Sequence, residues 1–532
     1  MPAHHPETHR PAKLPQQARL TRRRSLLAWA AGAAGAAIGA GGGLAGCASP
    51  VAPAGPAASS ALPNLALSPQ AAEQDLRVLR RALRELHPAL TKYLRPEQLD
   101  AAMARFEARA AAAREVGELW LAATELAAAL RCGHTWTNPR NQQGLARAAL
   151  FERADKLPLQ VRWVGQRVLV LASTDPAVQA GDELLALDGL PMAEVARQIW
   201  PCLRADGQSD GKRWRQLDHQ RGDPSQLDLV WPLLRPPQAG GHRVRWAPAA
   251  GGAPREAALA AWRLADRDDA LQARGWPAPD ERWRFQIDGE LALMTLPTFS
   301  FYGGRNPFDW AGFLERHFAL LEARQVPNLV IDLRANEGGD GTIGAQLMRH
   351  LIQAPLHYTS DQSASRYERV PYVLARYLDT WDFSFFDRTG QVDPITDGPQ
   401  AGLYNVRARA KGLRTLLPVA RPYAGRVFML VGGENSSASF HLAWLAQRSG
   451  RVTLVGQPTG GNLRGLNGGE LAWVTLPNSG VAVDIPLLAT RYEADTPDAP
   501  VQPEVLVTRH FEAQAAGQDE ELAAVRRLLG PG

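Results

Sequence analysis

The chain has 532 residues, 45% hydrophobic and 21% charged, an ordinary globular balance with room for two to four domains at about 150 residues each. Its formal charge of +5 belongs to residues 1–46, which hold six basic residues (Arg10, Lys13, Arg19, Arg22, Arg23, Arg24) and one acid, Glu7. Beyond them acids and bases balance, so no global field draws nucleic acid and no nucleic-acid partner is expected.

The leader runs Thr21-Arg22-Arg23-Arg24-Ser25-Leu26-Leu27 into an Ala/Gly-rich apolar stretch ending Leu44-Ala45-Gly46-Cys47. A basic start, an apolar middle and a small-residue end make an export signal, and the glycines weaken the stretch as a spanning helix. The paired arginines resemble a twin-arginine signal. Leu-Ala-Gly-Cys resembles a bacterial lipoprotein cleavage box, which implies lipidation of Cys47. The protein would then face the periplasm from the bacterial cell envelope, anchored to the membrane by lipid, with outer-membrane sorting left open by Ala48. Residues 48–68 are small, Pro-rich and uncharged, a tether after the signal of residues 1–47. An oxidising compartment permits a disulfide between Cys132 and Cys202; two buried thiols fit the sequence as well.

Residues 69–150 read as a helical region, because Leu76, Leu79, Leu83 and Leu86, then Val116, Leu119, Leu126 and Leu130, recur at helical spacing. Residues 151–280 read as a β-rich domain, with strands at 161–164 and 167–171 and with 205–280 as loops and further strands. Within it, Gly181-Asp182-Glu183-Leu184-Leu185, an Asp188-Gly189 turn and a short helix resemble a PDZ module, which binds a peptide as an added strand. From 281 to 512 short apolar strands (291–296, 328–333, 426–431, 452–456) alternate with helices (308–324, 342–353, 438–448), the pattern of an α/β domain. Residues 355–420 interrupt it with an aromatic insertion, either a lid or substrate wall or a surface subdomain. Residues 513–532 close the chain as a helix.

Three segments carry chemistry. Gly432-Gly433-Glu434-Asn435-Ser436-Ser437-Ala438-Ser439 lies between a buried strand and a helix, where a serine is exposed against free backbone N–H groups and a positive dipole end. Taken alone, that segment is better explained by helix capping by Asn and Ser. Asp332-Leu333-Arg334-Ala335-Asn336-Glu337-Gly338-Gly339 follows another strand, and its glycines let the backbone turn and approach a ligand. No Lys-Ser/Thr follows, which argues against a phosphate loop. Gly133-His134-Thr135 ends the helical region. His5 and His9 alone have metal-like spacing and lie in the leader, so neither a metal nor a cofactor is expected.

Taken in order, Gly-His-Thr, Asp-Leu-Arg-x-Asn-x-Gly-Gly, Ser-Ala-Ser and Gly456-Gln457-Pro458-Thr459 resemble the C-terminal processing and tricorn-like serine peptidases, the tail-specific protease type. Leu476–Gly480 and Val501–Glu504 resemble the family's closing strands. The resemblance implies ClpP/crotonase-like β-α units in the catalytic domain, an acyl-enzyme mechanism on a peptide or protein substrate, Ser437 as nucleophile, and the amides of Ala438 and of Gly338 or Gly339 as oxyanion donors. The processing branch carries a lysine base where this chain has Asn462. That points to the tricorn-like branch, in which His134 would be the base. That branch has a serine where this chain has Gly133, and an acid near the C-terminal end for which Glu493, Asp495 and Asp498 are candidates. The acid after Ser-Ala-Ser is here Phe440. His441, four residues beyond Ser437, is a rival base. Two other readings stand: a catalytically inactive peptide- or lipophile-binding scaffold, and an esterase, which the missing G-x-S-x-G elbow disfavours.

Overall fold

The computed structural model describes residues 63–219, 224–277, 282–301, 308–398 and 400–530. Strands between residues 284 and 506 build a six-stranded sheet. Its order is Val505–Leu506, Val452–Gly456, Arg426–Val431, Asn328–Asp332, Leu291–Thr295 and Arg284–Asp288. All neighbours are parallel except the last pair. Parallel strands are buried on both faces, so they are apolar throughout rather than alternating. Leu329, Ile331, Val427, Met429 and Leu454 face helices Trp310–Ala323, Gly341–Leu351 and Ser437–Ser449. The intervening Val330, Phe428, Leu430 and Val455 face Ala524 and Val525 of helix Glu520–Leu529. Helices thus cover both faces, and the turns after Asn328–Asp332 and Arg426–Val431 emerge side by side at the carboxyl edge.

The N-terminal helices Pro69–Leu86, Pro96–Ala112 and Val116–Ala129 share one core with a second sheet. That sheet runs Leu159–Val164, Arg167–Ser173, Glu183–Leu187, Gly241–Ala247, Arg255–Ala260, with Leu190–Pro191 added beside Glu183–Leu187. Asp188 and Gly189 both have positive φ (50° and 81°), which matches the twist of a tight hairpin. Residues 205–280 hold the expected strands, Gly241–Ala247 and Arg255–Ala260, but also helices that were not expected, Gly211–Leu217, Gln226–Leu234 and Leu264–Ala273. Charged side chains turned inward mask their periodicity. Arg267, 1% exposed, donates to both oxygens of Asp228 at 2.7 and 2.9 Å.

The aromatic insertion is woven into the body. Ser363–Ser365 pairs with Ala489–Thr490, Leu378–Asp379 pairs with Leu471–Thr475, and Tyr367, Val370 and Leu374 enter the N-terminal core. Residues 476–480 form the turn between strands Leu471–Thr475 and Ala482–Pro486, because Asp75 accepts the N–H groups of Asn478 and Ser479 at 3.0 and 2.9 Å. Residues 501–504 likewise precede a strand rather than form one. The tether is shorter than its composition suggests, since Leu65 and Leu67 are buried and Ala66 bridges Glu115. Cys132 and Cys202 are buried free thiols. The export signal, Cys47 and the rest of the tether lie outside the described residues. Among the described residues no helix is long and apolar enough to cross a membrane.

Candidate active site

The two carboxyl-edge turns are laced together by buried amides. Asn435 accepts the Gly432 N–H at 2.8 Å and donates to the carbonyls of Leu333 (2.6 Å) and Asn336 (3.0 Å). Ser439 Oγ lies 2.7 Å from the Asn336 carbonyl and 2.8 Å from that of Ser436. Between these ties Ser437 opens its helix with φ +51°, a conformation a non-glycine residue holds only when its surroundings impose it. Its side chain is half-buried, whereas its neighbour Ser436 is buried.

Gly338 (φ +125°) lies against Ser437: a Cβ there would come within 2.8 Å of Ser437 Cβ and 3.0 Å of Ala438 N. The Gly338 N–H, one of the two expected alternatives for an oxyanion donor, is instead committed to Asn336 Oδ1 at 2.8 Å. Among the described residues the N–H groups of Gly339 and Ala438 have no hydrogen-bond partner. Gly339 (φ +134°) is pressed against the Phe299 backbone, where a side chain has no room.

His134 follows from the N-terminal helices. The neighbouring loop is fixed by His87, whose Nδ1 accepts the Ala89 N–H (3.0 Å), leaving Nε2 to donate to Thr135 Oγ1 (2.7 Å). Burial holds the His87 imidazole neutral, with its pKa down at about 3. Gly468 makes room for the His134 ring, since a Cβ there would lie 2.9 Å from Nε2. Burial also lowers the His134 pKa, while the Asp206 carboxylate pulls it upward. The His134 imidazole makes no hydrogen bond to Ser437, and its Nδ1 is buried and unpaired.

What joins the histidine loop to the serine turn is an ion network that sequence reasoning missed. Lys212, 1% exposed, donates to Glu337 Oε1 (2.6 Å) and Ser436 Oγ (3.0 Å). Arg204 donates to the same Glu337 oxygen (2.6 Å) and to the Gly133 carbonyl, and its guanidinium lies 3.6 Å from the centre of the Trp136 ring. Although desolvation works against it, Glu337, whose side chain is partly exposed, is held well below the usual carboxylate range by Lys212 and Arg204. Arg204 and Lys212 come from a polar stretch without periodicity, in which no local signal singles them out.

Of the candidate acids, Glu493 is exposed and pairs with Lys411 at 2.7 Å, and Asp495 is exposed. Asp498 accepts from Asn462 Nδ2 (2.7 Å) and the Gln208 N–H (2.9 Å), with no bond to His134. Asn462 therefore fills the lysine position as a buried connector, donating also to the Asp206 carbonyl at 3.1 Å. Phe440 packs its ring where a side chain on Gly461 would stand. His441 stacks on Trp444 (5.5 Å) beside Tyr358 and does not bond Ser437.

An accessible serine at a strained strand-to-helix turn beside two unpaired amides is an arrangement for acyl transfer. Residues 290–505 match the model of peptidase family S41. The chain carries an S41 peptidase domain and is a serine-type peptidase. The fold is similar to that of mature CPAF complexed with lactacystin (TM-score 0.58, 15% identity, covering 87% of this chain and 98% of that one). It is similar also to mature CPAF (TM-score 0.55, 16% identity, 87% and 97%). No curated protein sequence matches the chain.

Proposed function

We propose that this S41 peptidase cleaves peptides or protein tails in the bacterial cell envelope, with Ser437 as nucleophile and His134 as general base. The carrying observation is the positive φ of Ser437 beside the unpaired N–H groups of Ala438 and Gly339. Ser437 Oγ bonds to the scissile carbonyl carbon while His134 takes its proton. The oxyanion accepts from Ala438 and Gly339, each donor contributing about 3 kcal/mol. His134 returns the proton to the leaving amine, and water, deprotonated by the same imidazole, hydrolyses the acyl-enzyme. A base with a lowered pKa is unprotonated, and so competent, through neutral pH.

The domain scheme belongs to this reading: a signal ending at Cys47, a lipid tether, a helical region, a PDZ-like sheet that captures the substrate tail, and ClpP/crotonase-like β-α units around the serine. The helix Met192–Ile199 beside strand Glu183–Leu187 supports a tail-binding groove there. A second reading, an inactive scaffold of the same fold, draws on the missing His134–Ser437 hydrogen bond. Incubating the purified protein with a mixed peptide library separates the two. New carboxyl termini that vanish with Ser437→Ala support the peptidase, and an intact library, retained by the protein, supports the scaffold.

A further inference from the structure

We propose that Asp206 is the positioning residue for His134, its carboxylate accepting a hydrogen bond from Nδ1–H so that Nε2 stays free for the serine hydroxyl. This rests on the assignment of Ser437 and His134 above.

Asp206 Oδ1 accepts the N–H of Gly133, the residue before the histidine, at 2.8 Å. The rest of the carboxylate fills the space that a side chain at 133 would take, its Cγ 2.8 Å from where a Cβ would stand. Glycine at 133 is thus what admits the acid. Asp206 Oδ2 and His134 Nδ1 are both buried and both unpaired. Leaving either so is unfavourable, and each is the complement of the other. Catalytic hydrogen bonds are often long in unliganded enzymes and close in the substrate complex.

The aspartate is held in place from both sides. Gly207 N–H donates to the Arg131 carbonyl (3.0 Å), Arg131 Nε donates back to the Gly207 carbonyl (2.8 Å), and Asn462 grips the Asp206 carbonyl. The charged groups facing His134 are Asp206, Arg204, Lys212 and Glu337. Arg204 and Lys212 share the single carboxylate of Glu337, which leaves one positive charge over, whereas Asp206 has no ion pair among the described residues. Behind it Lys92 is buried, its Nζ bound to the Gly465 carbonyl and Asn467 Oδ1 at 2.7 and 3.0 Å. Asp206 stabilises that cation against the burial that brings its pKa to about 8. During the reaction the Ser437 proton moves to Nε2, the Nδ1 proton stays on the ring, and Asp206 remains ionised opposite the imidazolium.

The test is the rate of fluorophosphonate labelling of the full-length protein against pH. Asp206→Asn keeps an acceptor for the Gly133 N–H but removes the charge. It should cut the plateau rate by about 10²-fold or more and move the acid limb to lower pH, because the imidazolium loses its counter-charge. In a His134→Ala background the same change should do nothing further. Tyr93→Phe, which removes an unpaired buried hydroxyl that interacts with Asp206, should leave rate and profile unchanged. A wild-type rate and profile in Asp206→Asn, an equal further loss in the His134→Ala background, or a Tyr93→Phe loss as large would each overturn the proposal. Should Asp206→Asn not fold, the wild type labelled at Ser437, which mimics the acyl-enzyme, still decides through its strongly downfield imidazole N–H proton resonance. Its presence, lost in His134→Ala, supports the proposal and its absence overturns it. Failure of the wild type to label at Ser437 would instead overturn the underlying assignment.

Discussion

Lys212 Nζ lies 2.6 Å from Glu337 Oε1, so the buried lysine nearest the serine turn is an ion-pair member whose other contact is Ser436. A proton acceptor must be neutral; this ammonium faces a carboxylate. Glu337→Gln leaves Lys212 buried without its anion and should destabilise the fold by up to about 3 kcal/mol. Lys212→Met leaves Glu337 its Arg204 partner and should cost less. Chemical denaturation of the two variants checks the order, and the reverse ranking would refute it.

Gly338→Ala should abolish labelling of Ser437. The new Cβ meets Ser437 Cβ at 2.8 Å, and φ +125° is foreign to alanine. A loss of about 10²–10³-fold with the near-native circular dichroism spectrum retained is expected. Wild-type labelling would show that this approach is not needed.

Asp484 gives the fold a pH slope. Burial raises its pKa to about 7, against the opposing amides of Asn138 and Asn141 at 3.0 and 2.7 Å. Unfolded, it titrates near 3.8. Between those values the folded state holds a proton that the unfolded state has lost, so this contribution to stability falls as pH rises and levels off above about 7. Asp484→Asn should flatten the dependence of Tm on pH across that window. An unchanged slope would contradict the assignment.

Arg334 docks the C-terminal helix, pairing with Asp332 (2.7 Å), Asp519 (2.8 Å) and Glu521 (3.1 Å). Arg334→Met should release helix Glu520–Leu529 from Val330 and Phe428, at a cost of about 3 kcal/mol. Faster amide exchange confined to that helix would report it, and unchanged exchange would exclude the docking role.

The parallel sheet was legible because buried strands such as Asn328–Asp332 and Arg426–Val431 are unbroken apolar runs, and their turns carry the glycines and serines that the chemistry needs. The stretch 205–280 was not. Its helices bury Arg267 and Lys212 through pairs contributed by distant segments, and no local period records a partner at Glu337 or Asp228. Asn462 could be read as the absence of a lysine, but its role as the tie between Asp206 and Asp498 depends on three loops meeting. The free amide at Gly339 rather than Gly338 turns on where Asn336 points its side chain, which spacing does not encode.

The most direct measurement is fluorophosphonate labelling of the purified full-length protein, with the adduct located by mass spectrometry. The account predicts a single adduct on Ser437, absent in Ser437→Ala and slowed by orders of magnitude in His134→Ala. An adduct on Ser436, or undiminished labelling of Ser437→Ala, would contradict it.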